Sequence, residues 1–196
     1  MRLGILGRGR VGQAIARRGY AAGYDIRIGT RAPEEGVAIT PGDFRLQSYE
    51  DAVRGADVVF LALPWPASLD VARAVAPILK PSAPLVDATR PPDALGLTQL
   101  PAASAAERIA AAIAPVPVVK ALNHLSVAEL EAPPVADRPL IVFYCGTAGK
   151  PKILVSRVLQ RLGFCPIDAG GLSTARSLED SADLFDELSR RLNRHD

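Results

Sequence analysis

The sequence lacks several features that define whole classes of protein. Its apolar runs fall well short of the roughly 20 residues that a membrane-spanning helix needs. Its net charge is only +2 over 196 residues, which does not favour a nucleic-acid partner. Two cysteines, Cys145 and Cys165, are too few for a disulfide framework and are not spaced as metal ligands. We therefore expect a globular protein with no membrane, nucleic-acid or metal partner and with two buried free thiols.

Groups that exchange protons near neutral pH are also scarce. The chain has four lysines and two histidines, and His195 is the penultimate residue. His124 is consequently the first candidate for a proton donor, because an imidazole has an ordinary pKa close to neutrality. Residues 1–6 form an apolar, strand-like run rather than a signal peptide, so we expect a cytoplasmic protein.

Short apolar runs alternate with helix-length segments along most of the chain. Most of the runs are continuous, as in strands of a parallel sheet that is covered on both faces. This alternation predicts an α/β fold with a doubly wound, mostly parallel sheet. The predicted strands are residues 3–6, 26–28, 58–63, 85–86, 116–122 and 140–144, and the predicted helices are residues 11–22, 49–54, 66–79, 102–114 and 151–162.

A glycine-rich motif lies between the first predicted strand and the first predicted helix. It comprises Gly7, Arg8, Gly9, Arg10, Val11 and Gly12. A G-x-G-x-x-G motif in this context predicts a dinucleotide-binding site, and a turn without a ligand is the alternative. In such sites Gly7 would permit a tight turn, Gly9 would let the backbone approach the pyrophosphate, and Gly12 would let the helix pack closely. The helix N-terminus would attract the phosphates.

The end of the second predicted strand indicates which nucleotide binds. NAD sites usually carry an acid there, whereas this sequence has Thr30 and Arg31, and Asp25 lies at the start of the strand. A guanidinium can meet a 2′-phosphate with two parallel hydrogen bonds. We therefore predict NADP rather than NAD, with a solvated Arg31 as the alternative. Arg8 and Arg10 are further candidates for contacts with phosphate or adenine, and solvent exposure is the alternative for each.

The small net charge conceals a basic N-terminal segment. Residues 1–31 contain seven arginines and a single acid, so the local field suits a phosphate-bearing ligand. Not all of these arginines are expected to contribute. Arg17 and Arg18, on the first predicted helix, are expected to be solvated.

Further motifs, together with the glycine motif, resemble those of a known family. They are residues 29–31 (GTR), 63–65 (LPW), 86–89 (VDAT), 118–123 (VVKALN) and 168–179 (DAGGLSTARSLE). On these motifs the chain resembles the deazaflavin-dependent NADP oxidoreductases and the NADPH-binding domain of metalloreductases. The resemblance implies a Rossmann domain with a short C-terminal α/β extension and a terminal helix, and it implies a homodimer. The reaction that it implies is hydride transfer between NADP and a deazaflavin or flavin.

The resemblance also suggests residues of the cofactor site. Leu63, Pro64 and Ala88 would flank the cofactor, since open α/β sheets bind ligands at the carboxyl ends of their strands. Trp65 is either a pocket wall or part of the packing. Asn123 would contact the nicotinamide carboxamide or line the acceptor pocket, and a strand-end cap is the alternative.

The chain departs from the family pattern at three places. These are Arg90-Pro91, His124 and Gly146-Thr147-Ala148. We expect them near the second substrate, so they leave the identity of the acceptor open. We expect the loop of residues 170–173 to shape the acceptor site, although two adjacent glycines are also typical of an ordinary turn.

We interpret residues 1–196 as a single NADP-binding domain. Residues 1–122 would form the dinucleotide-binding core, and residues 123–196 would form an extension that shapes the acceptor site. One face of a terminal helix carries Leu178, Ala182, Phe185, Leu188 and Leu192. This face would pack on its own sheet or on a second subunit.

These features predict an NADP(H)-dependent oxidoreductase that exchanges hydride with a deazaflavin or flavin as its small-molecule acceptor. Such a transfer needs two stacked rings more than it needs a protein acid. A second hypothesis is a small carbonyl or imine reductase with His124 as the proton donor. The third is a non-catalytic, NADP-binding sensor protein.

Overall fold

One eight-stranded sheet forms the centre of the described structure. The computed structural model describes residues 1–33, 44, 46–65, 67–90, 103–134 and 139–182. The strands are β1 (Arg2–Leu6), β2 (Asp25–Gly29), β3 (Leu46–Gln47), β4 (Val58–Leu61), β5 (Leu85–Asp87), β6 (Val118–Ala121), β7 (Leu140–Gly146) and β8 (Phe164–Asp168). Their order across the sheet is β3-β2-β1-β4-β5-β6-β7-β8. Every neighbouring pair is parallel except β6 and β7.

Helices cover both faces of this sheet. They are α1 (Arg10–Ala21), α2 (Tyr49–Val53), α3 (Ala67–Val75), α4 (Ala105–Ile113), α5 (Val127–Glu131), α6 (Lys150–Arg161) and α7 (residues 175–182). Apolar residues of α1, α5 and α6 share one core with β1 and β4, and those of α2, α3 and α4 share a second core on the other face. The predicted doubly wound α/β fold is therefore confirmed. No helix within the described ranges is long and apolar enough to cross a membrane.

Three short elements were not predicted. β3 has two residues and α5 has five, which is too short for a periodic pattern to be visible. β8 contains Pro166 and has only one buried residue, Phe164, so it lacks the apolar run that marked the other strands. Pro66 and Ala102, where two helices were predicted to begin, lie outside the described residues, as do residues 183–192 of the predicted terminal helix.

Two expectations about single side chains were wrong. Arg18 is buried, because its guanidinium donates hydrogen bonds to the carbonyl oxygens of Leu130 and Leu162 at the ends of α5 and α6. Cys165 is exposed, because it lies on the side of β8 that faces away from α6, whereas Cys145 is a buried free thiol. Burial raises the pKa of Cys145 to about 11.

The strand order places the candidate site. β1 lies between β2 and β4. The strands that follow β1 are added first on one side of it, as β2 and β3, and then on the other side, from β4 onward. Ligands of open α/β sheets bind at such a switch point, beyond the carboxyl ends of the strands. The glycine motif comes directly after the carboxyl end of β1 and therefore lies at that position.

Candidate functional site

Two of the three glycines are required by the fold itself. Gly7 has a φ of 122°, and a Cβ added to it would lie 2.2 Å from the carbonyl oxygen of Ala62. A Cβ on Gly12 would lie 2.0 Å from the carbonyl oxygen of Gly7. Both distances are far below van der Waals contact, so only glycine lets α1 begin this close to the ends of β1 and β4.

Gly9 differs, because a Cβ added to it would meet no protein atom within 4 Å. Its φ of −70° and ψ of 177° suit any residue. Gly9 is the N-cap of α1, and no side chain caps the helix there. The backbone N–H groups of the first turn therefore face space that the described protein atoms leave open, as a pyrophosphate site requires. The side chain of Gln13 donates to the carbonyl oxygen of Arg8 and supports the loop.

The arginines of the loop have different surroundings. Arg8 is exposed. Arg10 pairs with Glu131 of α5, with 2.7 Å between Nη2 and Oε2, and this hydrogen bond raises the pKa of Arg10 and lowers that of Glu131. Val11 packs against the core below the loop. A phosphate contact by Arg10 would therefore compete with Glu131.

The end of β2 has the predicted basic character. Thr30 is buried, and its N–H donates to the carbonyl oxygen of Gln47 in β3. Arg31 comes next, at the surface, and has no ion pair within the described part of the chain. Asp25 lies at the other end of β2, where a hydrogen bond from Arg2 lowers its pKa. Residues 29–33 contain no acid that could take the place of an NAD ribose partner.

The residues after β4 and β5 complete the rim. Ser68 Oγ donates to the carbonyl oxygens of Leu63 and Pro64 and fixes the turn after β4. Ala88 is buried, and its N–H donates to the carbonyl oxygen of Leu61. Trp65 packs on the core and beneath the guanidinium of Arg108, 5.0 Å from the ring centroid. Packing is therefore the role that its observed contacts support.

A buried charge network underlies the carboxyl ends of β5 and β6. The Lys120 ammonium donates to Asp87 Oδ2 at 3.0 Å and to the carbonyl oxygen of Thr89 at 2.8 Å, and it forms an ion pair with Glu179 Oε1 at 3.1 Å. The side chains of Lys120 and Asp87 are fully buried. Glu179, on α7, also accepts hydrogen bonds from the N–H groups of Ala105 and Ala106 at the start of α4.

This network joins three of the sequence motifs, and we assigned no role to Lys120 from the sequence alone. The network could have been suspected from the sequence, because Lys120 is a charged residue within an apolar predicted strand, Asp87 directly follows another, and Glu179 lies in a conspicuous motif of the same resemblance. A charge that is fully buried needs an opposite charge and hydrogen bonds nearby.

Asn123 lies beyond the end of β6, next to this network. Leu122 precedes it with a φ of 68°, a left-handed conformation that is costly for a branched side chain. The amide of Asn123 donates to the carbonyl oxygen of Leu178 on α7 at 2.7 Å. Its Oδ1 and the hydroxyl of Thr89 are buried and have no hydrogen-bond partner in the described structure. Both oxygens follow the carboxyl ends of β5 and β6, the side of the sheet on which ligands of open α/β sheets bind.

His124 points away from the network. Its ring tilts against Phe143 with 5.7 Å between centroids, and Nε2 lies 3.4 Å from the carbonyl oxygen of Ile141. Burial lowers the pKa of His124, which favours the neutral ring. Nδ1 is buried without a partner in the described structure.

Two segments expected near the acceptor lie beside the amino end of β6, whereas the candidate site lies at the carboxyl ends of the parallel strands. The N–H of Thr147 donates to the carbonyl oxygen of Val118, which begins β6, and the N–H of Gly146 donates to the carbonyl oxygen of Gly170. A Cβ on Gly146 would lie 2.4 Å from the Val118 oxygen. Residues 146–147 and the 170–173 loop therefore support the start of β6 rather than the acceptor site. They lie there because β7 is antiparallel to β6.

Comparisons with known proteins agree with this geometry. Residues 2–91 match the family described as NADP oxidoreductase coenzyme F420-dependent. Metalloreductase STEAP3 of Rattus norvegicus is 30% identical over 181 residues, which are 91% of this chain and 36% of that protein. The chain thus spans about a third of the length of the curated relatives that it matches.

Two solved structures extend the similarity over most of the chain. A protein of Arthrobacter sp. FB24, described as a candidate F420-dependent NADP reductase, is 27% identical with a TM-score of 0.82 and covers 98% of this chain and 95% of its own. Hypothetical protein SMa0349 of Sinorhizobium meliloti is 26% identical with a TM-score of 0.74, and the match covers 89% and 88% of the two chains. The family resemblance predicted from the motifs is confirmed, and the fold is that of an NADP-dependent oxidoreductase.

Proposed function

We propose that this chain, whose residues 2–91 match the family described as NADP oxidoreductase coenzyme F420-dependent, transfers hydride between NADPH and a deazaflavin or flavin. The observation that carries the nucleotide half of this proposal is the open space at Gly9. The fold demands glycine at positions 7 and 12 but leaves position 9 free, at an uncapped helix N-terminus. A glycine that the protein does not need is explained by a ligand that approaches its backbone.

The choice of acceptor rests on the acids that the described residues offer at the β5 and β6 ends. Lys120 donates to Asp87 and Thr89 and pairs with Glu179 inside its network, and burial lowers the pKa of His124. Carbonyl reduction needs a proton donor for the developing alkoxide. When bound, NADPH supplies a hydride, and a flavin-type ring accepts it with correct stacking as the main requirement. The described residues therefore favour the ring acceptor.

In this proposal the chain holds the two rings in place. The first turn of α1 binds the pyrophosphate, and Thr30 with Arg31 binds the 2′-phosphate. Asn123 Oδ1 would accept a hydrogen bond from the NH2 group of the nicotinamide carboxamide. The Thr89 hydroxyl would donate one to the carboxamide oxygen. The network of Asp87, Lys120 and Glu179 fixes both residues by tying β5 and β6 to α7.

Anaerobic stopped-flow mixing tests the reaction. We expect coenzyme F420 or a flavin, mixed with the NADPH-loaded protein, to accelerate NADPH oxidation. Acceleration with none of these acceptors would refute the proposal. Gly9→Val tests the nucleotide site, because a Cβ at this position meets no described protein atom within 4 Å and would enter the space proposed for the phosphate. It should retain the native melting temperature and weaken NADPH binding by at least about 30-fold.

The carbonyl or imine reductase alternative depends on His124. If His124 donated the proton, His124→Gln would lower turnover of a carbonyl substrate about 100-fold. The proposal predicts an unchanged rate of flavin or deazaflavin reduction in this variant.

From the family resemblance we also propose a homodimer, for which light scattering should give twice the 20.7 kDa of one chain.

A further inference from the structure

A cleft outside the nucleotide site has an unusual set of charges. It has a volume of about 360 Å³ and lies between α1, the end of α5 and the end of α6. None of the residues assigned to the nucleotide lines it. Its walls carry Arg17, Arg18 and Arg161 but only one acid, Glu131.

Arg18 has no carboxylate partner within the described residues. It is 7% exposed, and burial lowers its pKa. Its guanidinium donates to four backbone carbonyl oxygens, those of Glu129, Leu130, Ala132 and Leu162, at 2.6 to 3.2 Å. A guanidinium has five N–H groups, so one N–H on Nη1 has no acceptor among these residues. Within the described residues, the positive charge is thus stabilised by carbonyl dipoles and by the ring of Phe164, 4.5 Å from the guanidinium.

The other two arginines add to this excess of positive charge. Arg17 approaches Glu131 only to 3.4 Å, because the same carboxylate is held by Arg10 at 2.7 Å. Arg161 donates to the carbonyl oxygen of Ala22 and lies over the ring of Tyr24, and it has no acid partner in the described structure. Among the described lining residues there are thus three guanidinium groups and one carboxylate, and that carboxylate pairs with Arg17 and also with Arg10 of the glycine loop.

The rest of the lining is apolar. It consists mainly of small or rigid side chains from α1 and from the segment after α5, namely Ala14, Ala21, Leu130, Pro133 and Pro134. We propose that this cleft binds a small organic anion, a carboxylate carried on an apolar body of about six carbons. Planar guanidinium groups match a carboxylate through paired hydrogen bonds, and apolar walls suit the hydrocarbon.

A purely structural role, in which arginines cap the carbonyl ends of α5 and α6, does not account for the cleft. It explains why Arg18 is buried against the carbonyl groups of α5 and α6. It does not explain why Arg17 of α1 and Arg161 of α6 line the same opening, where the described residues supply one carboxylate, Glu131, which Arg17 shares with Arg10. The competing explanation is a carboxylate of this chain itself, and Asp137, which lies three residues after Pro134 and outside the described residues, is the candidate.

Two-dimensional amide NMR of the whole chain, at constant ionic strength, tests the proposal with hexanoate, hexan-1-ol and inorganic phosphate. We expect hexanoate to shift the amides of Ala14, Ala21 and Gly163 saturably and at least about 10-fold more tightly than hexan-1-ol or phosphate. The amides of Gly9 and Gly12 should not move. Failure of the NADPH experiments would leave this result unchanged, because no nucleotide is present.

Substitutions then separate the outcomes. Arg17→Gln and Arg161→Gln lie at partly exposed positions, and each should weaken hexanoate binding about 5- to 10-fold. Arg54→Gln, at an exposed arginine paired with Asp51, should have no effect. Equal binding of hexan-1-ol, or insensitivity to both cleft variants, would overturn the proposal. Binding that occurs only in Asp137→Asn would also overturn it, since the chain would then supply its own anion.

Discussion

At the scale of single residues, we expect selectivity between the two nicotinamide nucleotides to depend on the side chains just after β2. Arg31 is exposed and has no ion pair in the described residues, whereas Arg10 is held by Glu131. A guanidinium that binds a phosphate gives up no contact with the described residues at Arg31, whereas at Arg10 it gives up the pair with Glu131. Arg31 is therefore better placed than Arg10 to favour NADPH over NADH.

We predict that the native chain binds NADPH at least about 10-fold more tightly than NADH, a difference of about 1.4 kcal/mol. Arg31→Ala should abolish this difference by weakening NADPH binding while leaving NADH binding almost unchanged. Isothermal titration calorimetry measures both affinities. Arg54→Ala is the control for the loss of an exposed arginine, and it should keep the preference. Equal affinities in the native chain would remove the role given to Arg31.

At the scale of secondary-structure elements, the buried network is what joins α7 and α4 to the sheet. Glu179 contacts Lys120 of β6 and the first N–H groups of α4. Two carboxylates and one ammonium in a fully buried site are favourable only as a complete set. The loss of Lys120 would leave both carboxylates buried without a cation.

Lys120→Met should therefore lower the free energy of unfolding by about 3 to 5 kcal/mol in urea denaturation. Adding Asp87→Asn to this variant should restore part of the loss, because one uncompensated charge is removed. Lys80→Met breaks the partly exposed pair with Asp57 and should change stability by less than about 1 kcal/mol. A loss from Lys120→Met no larger than that from Lys80→Met would contradict this account.

The elements also show how much of the fold is predictable from the sequence. β1, β4 and α1 were predicted closely, because their apolar runs and glycines are local signals. The antiparallel direction of β7 was not visible, since a strand has the same pattern in either direction. That direction moves residues 146–147 and the 170–173 loop away from the acceptor site. The partners of Lys120 and Arg18 were also missed, because each lies more than 30 residues away in the chain.

At the scale of the whole molecule, two groups of helices stabilise the sheet from opposite faces, and the end of β6 lies between them. Asn123 is held by the carbonyl oxygen of Leu178 on α7. His124 packs on Phe143 of β7. The conformation of Leu122, with its φ of 68°, turns the chain so that these neighbours point to different partners.

The half-buried ring of His124 is expected to make the stability of the whole molecule depend on pH. Burial lowers its pKa below the ordinary value of about 6.5 despite the nearby charge of Glu129. As the pH falls below 6.5 the unfolded chain binds a proton there before the folded chain does. The free energy of unfolding therefore decreases toward acid, by at most about 1.4 kcal/mol for each pH unit from this residue.

Urea denaturation at pH 7.5, 6.5 and 5.5, on the native chain and on His124→Gln, isolates this contribution. Carboxylates contribute nearly equally to both proteins, so their effects cancel in the difference. The native chain should lose more stability than the variant between pH 6.5 and 5.5, and the difference should be constant above pH 7. A difference that stays constant over the whole range would show that His124 binds its proton as easily in the folded chain as in the unfolded one. In that case the protonated ring would again be available as the acid of a carbonyl reductase, and the preference for a ring acceptor would lose its argument.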